Sequence, residues 1–193
     1  ANNQVKLINK ECYLMRNIIC LFTFFSIILP LSLSPAFASE KESVMILELS
    51  TGIVKIRLRD DLAPKHVERM KQLADLKFYD NIIFHRVIDG FMAQTGDPTG
   101  TGMGGSDYPD LRAEFSPEPF LRGTIGMARS QHPDSANSQF FICLEDAEFL
   151  NRQYTVFAEV IEGMEHVDAI AKGEPPEKPD YIVTMRPADT DDE

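Results

Sequence analysis

The sequence predicts a mainly β domain in which one antiparallel sheet closes on itself as a barrel and two α-helices cover its open ends. Two observations carry this prediction. The candidate strands are short and separated by loops, and just two stretches of the domain have a helical pattern. A parallel sheet would need a crossover helix between its strands, so this pattern argues against it. Closure into a barrel would also leave no strand edge exposed.

The first half of the domain begins with two strands and a helix. Residues Val44 to Leu49 predict a strand, and Thr51-Gly52 indicates a turn. From Ile53 to Leu58 apolar and polar side chains alternate, which predicts a second strand. Asp60 to Pro64 opens a helix, with the proline near its first turn. The apolar face of this helix comprises Val67, Met70, Leu73, Ala74 and Leu76.

The second half supplies the other strands and the second helix. The Asp89-Gly90 pair predicts a turn between two short strands within Ile82 to Thr95. Residues Gly96 to Tyr108 form a glycine-rich loop, and the acidic stretch from Pro187 to Glu193 predicts a loose tail. Further strands are predicted at Thr124 to Ala128, Phe140 to Leu144, Thr155 to Val160 and Tyr181 to Met185, and a helix at Met164 to Ala171.

The N-terminal segment, Ala1 to Ala38, ends in the order of a secretory signal peptide. Met15-Arg16-Asn17 begins a short basic region, Ile18 to Leu33 is almost uninterruptedly apolar, and Ala36-Phe37-Ala38 is a small-x-small cleavage signature. We therefore expect cleavage after Ala38, a spacer at 39–43, a domain at 44–186 and an acidic tail at 187–193. The alternative is an uncleaved membrane anchor, because the run from Ile18 to Ala38 is long enough to span a bilayer.

Charge and cysteine content limit the compartment and the partners. Three of the 19 basic and one of the 30 acidic residues precede Ser39, so the rest of the chain carries a formal net charge of 16 − 29 = −13. Such a surface repels nucleic acid and anionic lipid headgroups, so neither is an expected partner. Cys12 and Cys20 precede the cleavage site, which leaves Cys143 without an internal disulfide partner. The chain carries a predicted export signal, and its domain has no N-x-S/T sequon. Together these features favour location in a bacterial periplasm.

Neither the glycine pattern nor the histidines of this chain have the neighbouring residues that a nucleotide site or a metal site requires. Gly100 to Gly105 satisfies G-x-G-x-x-G, but the residues after it make a poor helix start, so no nucleotide site is expected. The four histidines show no metal-ligand spacing and no C-x-x-C accompanies them. We therefore expect neither a metal nor a cofactor.

Polar side chains near two short strands indicate a candidate site. Arg86 and Gln94 stand among aromatic and sulfur-bearing residues, which by themselves are more often core. Together these residue types would build an apolar pocket with a fixed cation at its rim, and the candidate reaction is rotation about an X-proline bond. His85 lies next to Arg86 on the strand, so it would face the core as a hydrogen-bonded histidine.

The chain resembles the cyclophilins, a family of peptidyl-prolyl cis-trans isomerases, in order from about Val44 to Met185. The resemblance implies an eight-stranded antiparallel barrel with a helix at each end. It rests on several blocks together: Phe84-His85-Arg86-Val87, Gly90-Phe91-Met92-Ala93-Gln94, Gly96-Asp97, the glycine-rich loop, Gly126-Met127-Ala128, Ser138-Gln139-Phe140-Phe141-Ile142-Cys143 and Phe149-Leu150.

The resemblance also implies a role for each matching residue. Arg86 resembles the catalytic arginine, with Gln94 as a neighbour that can hold its guanidinium. The proline pocket would comprise Phe91, Met92, Phe141 and Leu150, and the peptide would contact Gln94, Gln139, Gly102 and the segment Ala128, Arg129 and Ser130. Phe149 and Tyr154 stand where the better-known eukaryotic members carry tryptophan and histidine.

The implied function is isomerisation of X-Pro bonds in exported proteins in the periplasm, which assists their folding. We expect a monomer whose partners are proline-containing polypeptides. Because Phe149 has no indole N–H, cyclosporin binding should be at most weak, while Tyr154 can still stack and donate a hydrogen bond. Arg129 replaces a usual asparagine and changes the charge of the groove. The alternatives are a module that binds X-Pro segments with little turnover, and an isomerase tethered by an uncleaved N-terminal segment.

Overall fold

The computed structural model describes residues 43–188, which form eight β-strands and two α-helices. The signal peptide with its cleavage after Ala38, most of the spacer and tail residues 189–193 lie outside the described residues and stay predictions. In chain order the elements are β1 (Val44–Leu49), β2 (Gly52–Leu58), α1 (Pro64–Asp75), β3 (Arg86–Ile88), β4 (Met92–Thr95), β5 (Thr124–Met127), β6 (Phe140–Cys143), β7 (Val156–Glu162), α2 (Met164–Asp168) and β8 (Ile182–Pro187). A short 3-10 helix, Glu148–Leu150, lies between β6 and β7.

The strands form one antiparallel sheet in the order β3-β4-β6-β5-β7-β2-β1-β8. The prediction of eight antiparallel strands with two helices is confirmed. β3 and β8 are the two ends of this order, and the segments just before them meet at an isolated bridge between Ile83 and Tyr181. The sheet therefore curls as a half-barrel until its ends approach each other. A continuous ladder that closes the barrel is not confirmed.

Hydrophobic side chains pack on both faces of the sheet. In β6, Phe140 and Ile142 join the main core, whereas Phe141 and Cys143 join a second cluster. Successive side chains of a strand point to opposite faces, so the two clusters lie on opposite sides of β6. The second cluster comprises Met92, Phe120, Phe141, Cys143, Ala147, Leu150 and Val156, with Phe91, Ala128 and Tyr154 among the side chains packed against it. This second cluster is the support on which the candidate site is built.

Helix α1 begins at Pro64, which lies in its first turn as predicted, whereas Asp60 to Ala63 precede the helix; a distant carboxylate caps its N-terminus. Ala63 offers no side-chain cap, but Glu114 accepts hydrogen bonds from the backbone N–H groups of Lys65 and His66, each at 3.1 Å. Four of the five predicted apolar positions are buried. The prediction for Leu76 was wrong, because the helix ends at Asp75 and Leu76 is 64% exposed.

Helix α2 ends at Asp168, three residues before the predicted end. The backbone N–H of Ala171 donates to the carboxylate of Asp180 at 2.8 Å, so it does not extend the helical ladder. The predicted strands are all present, and their ends agree with the prediction to within two residues, except that β3 begins at Arg86, four residues after the predicted start at Ile82. Within residues 43–188, no helix has both the length and the apolar content needed to cross a membrane.

Candidate active site

One row of side chains across neighbouring strands brings the predicted site together. In the antiparallel register Arg86 of β3 lies opposite Gln94 of β4. Gln94 lies opposite Phe141 of β6, and Phe141 lies opposite Gly126 of β5. Residues directly opposite each other in antiparallel strands share one face of the sheet. The cation, the amide and the aromatic ring are therefore neighbours although they come from distant parts of the chain.

A pocket of about 140 Å³, here called the small pocket, opens on this row. A cavity of that volume has room for several water-sized groups. Buried apolar surface comes from Met92 and Phe141, and the cation comes from Arg86 at 41% side-chain exposure. The small pocket is lined by Arg86, Phe91, Met92, Gln94, Ala128, Arg129, Phe141, Leu150 and Tyr154.

Gly126 leaves space for the two aromatic rings behind the small pocket. Phe141 stacks on the fully buried Phe120, with ring centroids 5.7 Å apart. A Cβ atom at position 126 would lie 2.6 Å from a ring carbon of each phenylalanine. Any side chain there would displace Phe141, so the missing side chain of Gly126 sets the position of one pocket wall.

The guanidinium of Arg86 is held by two neighbours. Its Nε donates to Oε2 of Glu174 at 2.7 Å, and its Nη1 donates to Oε1 of Gln94 at 3.5 Å. The expectation that Gln94 holds this group is met only at the limit of hydrogen-bond length, because the shorter and charge-assisted contact is with Glu174. Among the described residues Nη2 has no hydrogen-bond partner, and it is the N–H group left for a ligand.

A chain of amide contacts connects Gln94 to the glycine-rich loop. Nε2 of Gln94 donates to Oε1 of Gln139 at 2.9 Å. Nε2 of Gln139 donates in turn to the carbonyls of Gly102 at 3.1 Å and Gly104 at 2.8 Å. The side-chain amides of both glutamines are thus fixed in orientation, which prepares them to contact a peptide without further ordering.

Asp97 fixes the conformation of the glycine-rich loop from beneath. Its buried carboxylate accepts hydrogen bonds from the backbone N–H groups of Thr99 at 2.8 Å, Gly102 at 2.6 Å and Gly104 at 3.1 Å. Burial of the carboxylate works against its ionisation, but these hydrogen bonds favour the charged form more strongly and lower the pKa of Asp97 to about 2. The loop is therefore organised around a carboxylate that stays ionised at neutral pH.

A second pocket of about 490 Å³, here called the large pocket, adjoins the small pocket. The two share Gln94, Ala128 and Arg129, so together they form one continuous groove. The large pocket is lined by Gln94, Gly102, Met103, Gly104, Gly105, Ser106, Asp110, Ala128, Arg129, Ser130, Ser135, Asn137 and Gln139. Predicted peptide contacts at Gly102, Ala128, Ser130 and Gln139 all line this cavity.

Arg129 and Tyr154 form a joint wall between the pockets. The guanidinium carbon of Arg129 lies 4.4 Å from the ring centroid of Tyr154, a cation–π contact. The Tyr154 ring meets Phe141 edge-on, with centroids 5.8 Å apart. Arg129 also donates to the backbone carbonyls of Ser130 at 2.9 Å and Gln153 at 2.9 Å. The positive charge of Arg129 therefore serves mainly to hold this joint wall in place.

Phe149 is the predicted site residue that lines neither pocket. It lies in the 3-10 helix, is 64% exposed, and packs beside Phe91 with ring centroids 5.3 Å apart. It therefore extends the apolar surface of the small pocket outward rather than forming its wall. The other twelve predicted site residues line at least one pocket.

His85 is buried, but it precedes β3, and a Cβ atom at Gly102 of the glycine-rich loop would lie 3.4 Å from its ring, so strand alternation does not describe its position. Neither ring nitrogen has a partner among the described residues. The prediction of a hydrogen-bonded core histidine was therefore wrong. Burial lowers the pKa of His85, which keeps the ring neutral at neutral pH. In the described part of the chain, no group of three or more histidine, cysteine, aspartate and glutamate side chains is placed to hold a metal ion.

Glu174 and Phe120 are site residues that the sequence did not indicate. Glu174 is 88 residues from Arg86 in the chain, and a single carboxylate in a proline-rich loop carries no pattern that points to an arginine. Phe120 lies in an irregular segment before β5. Its role in supporting the pocket becomes visible only from its contact with Phe141 in the folded structure. Tertiary structure alone identifies both.

Comparison with known sequences agrees with this geometry. Residues 44–187 match the family model described as cyclophilin type peptidyl-prolyl cis-trans isomerase/CLD. A protein of Brucella suis named "probable peptidyl-prolyl cis-trans isomerase" is 52% identical over 164 residues, which cover 77% of this chain and 84% of that protein. Peptidyl-prolyl cis-trans isomerase A of Dickeya dadantii is 39% identical over 145 residues, which cover 72% of this chain and 76% of the relative.

Solved structures give the same result for the fold. A cyclophilin-type peptidyl-prolyl cis-trans isomerase of Cryptosporidium parvum superposes with a TM-score of 0.72 at 30% identity, covering 77% of this chain and 99% of that one. A cyclophilin of Hirschia baltica superposes with a TM-score of 0.69 at 27% identity, covering 75% of this chain and 73% of that one. The sheet, the groove and these matches together lead to one assignment: the chain belongs to the cyclophilin-type peptidyl-prolyl cis-trans isomerases.

Proposed function

We propose that this isomerase twists the X-Pro bond of a bound polypeptide with the proline ring in the small pocket and Arg86 at the proline nitrogen. The observation that carries the proposal is the position of Arg86 at the rim of a pocket of about 140 Å³ lined by Phe141 and Met92. Its Nη2 group has no partner among the described residues, so it is available to a ligand on that side.

The chemistry follows from the electronic structure of the amide. Rotation about a peptide bond meets a barrier of roughly 18–20 kcal/mol, because resonance is lost when the bond twists. In the twisted state the proline nitrogen becomes pyramidal and has a lone pair that accepts a hydrogen bond. A donor at that nitrogen therefore binds the twisted state more strongly than either planar state, which is the requirement for catalysis.

The magnitude expected from Arg86 is moderate. A hydrogen bond to a charged group is worth on the order of 1.5–3 kcal/mol, which corresponds to about one to two powers of ten in rate. The remaining acceleration must come from the apolar grip on the proline ring and from exclusion of water by the pocket wall. Arginine suits the task better than lysine, because its planar guanidinium can be held by neighbours while one N–H edge stays free.

The groove supplies contacts for residues that precede the proline. The side-chain amides of Gln94 and Gln139 are oriented, and the backbone from Ala128 to Ser130 lines the large pocket. We propose that an extended peptide binds there, so the partners are proline-containing polypeptides. In support, the Cryptosporidium parvum relative was also crystallised in the presence of the dipeptide Ala-Pro.

The proposed clients are exported proteins in a bacterial periplasm, whose folding the enzyme assists. Support comes from the basic, apolar and A-x-A order within the segment Ala1 to Ala38 and from the absence of an N-x-S/T sequon in the domain. Mass spectrometry of the protein after export tests this: a mature N-terminus at Ser39 supports the proposal, and an intact N-terminal segment supports a tethered enzyme instead. We further propose that cyclosporin binds weakly, because the exposed ring of Phe149 has no N–H donor.

The test of the isomerase activity is turnover of a short X-Pro peptide with the protein at a small fraction of the substrate concentration. An enzyme accelerates the approach to the cis/trans equilibrium and leaves the equilibrium ratio unchanged. A proline-binding module with little turnover shifts the ratio in proportion to its own amount. Acceleration at a molar ratio of about one to a thousand supports the proposal, since a binder that obeys mass action would produce no measurable change there.

A further inference from the structure

Loop 172–180 lies along the outer edge of β3 and pairs with the strand that carries Arg86. Gly173 and Val87 exchange two backbone hydrogen bonds, at 2.8 and 2.9 Å, and form an isolated antiparallel bridge. Glu174 follows this bridge directly. The backbone pairing therefore delivers the carboxylate of Glu174 to the residue next to Val87, which is Arg86.

The conformation of loop 172–180 is narrowly fixed at both of its ends. Gly173 has a φ of +149°, and a Cβ atom there would lie 2.6 Å from the Cα atom of Pro176. At the other end the backbone N–H of Phe84 donates to the carbonyl of Asp180 at 2.9 Å. The loop is thus attached to the backbone on both sides of Arg86, and its fold leaves little freedom in where Glu174 is placed.

The contact between Glu174 and Arg86 fixes one edge of the guanidinium and leaves another edge unused. The distance from Nε to Oε2 is 2.7 Å, whereas Nη1 and the amide oxygen of Gln94 are 3.5 Å apart. Because a guanidinium is planar and rigid, a short bond at Nε sets the direction in which the Nη groups point. Glu174 therefore determines the orientation of the N–H groups that remain for a ligand.

The same contact contributes little to folding. The side chains of Arg86 and Glu174 are 41% and 53% exposed, and ion pairs with that degree of exposure are screened by solvent. If Glu174 orients Arg86 but adds little to the free energy of unfolding, its removal should lower turnover and leave stability nearly unchanged. Loss of a purely structural contact would instead lower stability.

We propose that Glu174 is a positioning residue for the isomerase reaction, which orients the Arg86 guanidinium toward the proline nitrogen through the bond at Nε. This inference rests on the proposed role of Arg86. Glu174 acts on the twisted state alone, because the planar substrate does not need the Nη2 hydrogen bond. Its loss should therefore lower kcat and leave KM nearly unchanged.

The test compares Glu174→Ala, Glu174→Gln and the matched control Glu177→Ala in the full chain. Glu177 is an exposed carboxylate of the same loop and makes no ion pair among the described residues, so its removal changes the net charge alone. We expect Glu174→Ala to lower kcat about three- to tenfold, because a misdirected guanidinium loses alignment while Gln94 still restrains it. Glu174→Gln should retain most of the activity, since its amide oxygen still accepts from Nε, and Glu177→Ala should match the parent.

A double variant decides whether Glu174 acts through Arg86. In an Arg86→Ala background, Glu174→Ala should cause no further loss, because the group that it orients is absent. An equal loss in both backgrounds, or full activity of Glu174→Ala beside a strongly impaired Arg86→Ala, would overturn the inference and leave the proposed function intact. Parent-like turnover of Arg86→Ala itself would instead overturn the proposed role of Arg86, and the inference with it.

Discussion

Replacing Asp97 by Asn exchanges a carboxylate oxygen for an amide nitrogen while the size of the side chain stays the same. In the structure Oδ1 faces the backbone N–H and hydroxyl of Thr99, each at 2.8 Å. Oδ2 faces the backbone N–H groups of Gly102 and Gly104 at 2.6 and 3.1 Å. Whichever way the asparagine amide is turned, its NH₂ group meets an N–H donor in a buried site. The substitution should therefore loosen the glycine-rich loop.

The magnitude follows from the pKa of the native carboxyl. Lowering the pKa of Asp97 from 3.8 to about 2 corresponds to about 2 kcal/mol of stability at ~1.4 kcal/mol per pKa unit. Because the pKa in the folded state is the lower one, this stability is fully present above about pH 4 and is lost as the pH falls toward 2. At pH 3, between the two pKa values, roughly half of it should remain.

Urea unfolding at pH 7 and pH 3 measures this effect for the parent, Asp97→Asn and the control Asp107→Asn. Asp107 is an exposed residue of the same loop and makes no hydrogen bond among the described residues. We expect Asp97→Asn to lower the free energy of unfolding by about 2–3 kcal/mol at pH 7, and the difference from the parent to shrink by about 1 kcal/mol at pH 3. A parent-like stability at pH 7, or a difference that does not change with pH, would refute the reasoning.

Three further substitutions test the pocket walls and the main core. Gly126→Ala places a Cβ atom 2.6 Å from the Phe141 ring, so overpacking should lower the free energy of unfolding by about 1–3 kcal/mol and impair kcat/KM; unchanged stability and activity would contradict the account of the pocket wall. Arg129→Ala removes the cation from the Tyr154 ring, 4.4 Å away, and steady-state kinetics should show a larger rise in KM than fall in kcat. An unchanged KM would contradict the role of Arg129 and Tyr154 as a wall of the groove. Tyr79→Phe deletes a buried hydroxyl that donates to a backbone carbonyl at 3.0 Å, so thermal or urea unfolding should reveal a loss of about 1 kcal/mol at parent-like turnover.

The fold was predictable where one face of an element is solvent-exposed. In β2 the buried Val54, Ile56 and Leu58 alternate with less buried neighbours, and this period of two is visible in the sequence. In β6 all four residues are buried, since one face packs in the main core and the other in the cluster beneath the site. Its sequence therefore identifies a strand but not which face carries Phe141. Closure of the sheet depends on how far it curls, which no local pattern encodes.

The site was predictable where polarity conflicts with its surroundings. Arg86 and Gln94 are polar residues among aromatic and sulfur-bearing ones, and that conflict, together with the resemblance, identified most residues of the groove. Glu174 was missed because its partner is 88 residues away and the contact depends on how loop 172–180 pairs with β3. The prediction for His85 failed because the residue precedes β3, where strand alternation does not apply, and because alternation says nothing about hydrogen-bond partners.

The most direct test of the central claim is kcat/KM for a short X-Pro peptide, measured with the parent and with Arg86→Ala at the same substoichiometric concentration. We expect kcat/KM of Arg86→Ala to fall by about one to two powers of ten, the value of one charge-assisted hydrogen bond of about 1.5–3 kcal/mol. Its free energy of unfolding should stay within about 1 kcal/mol of the parent, because the ion pair of Arg86 is half exposed. A folded Arg86→Ala protein with turnover within twofold of the parent would contradict the claim.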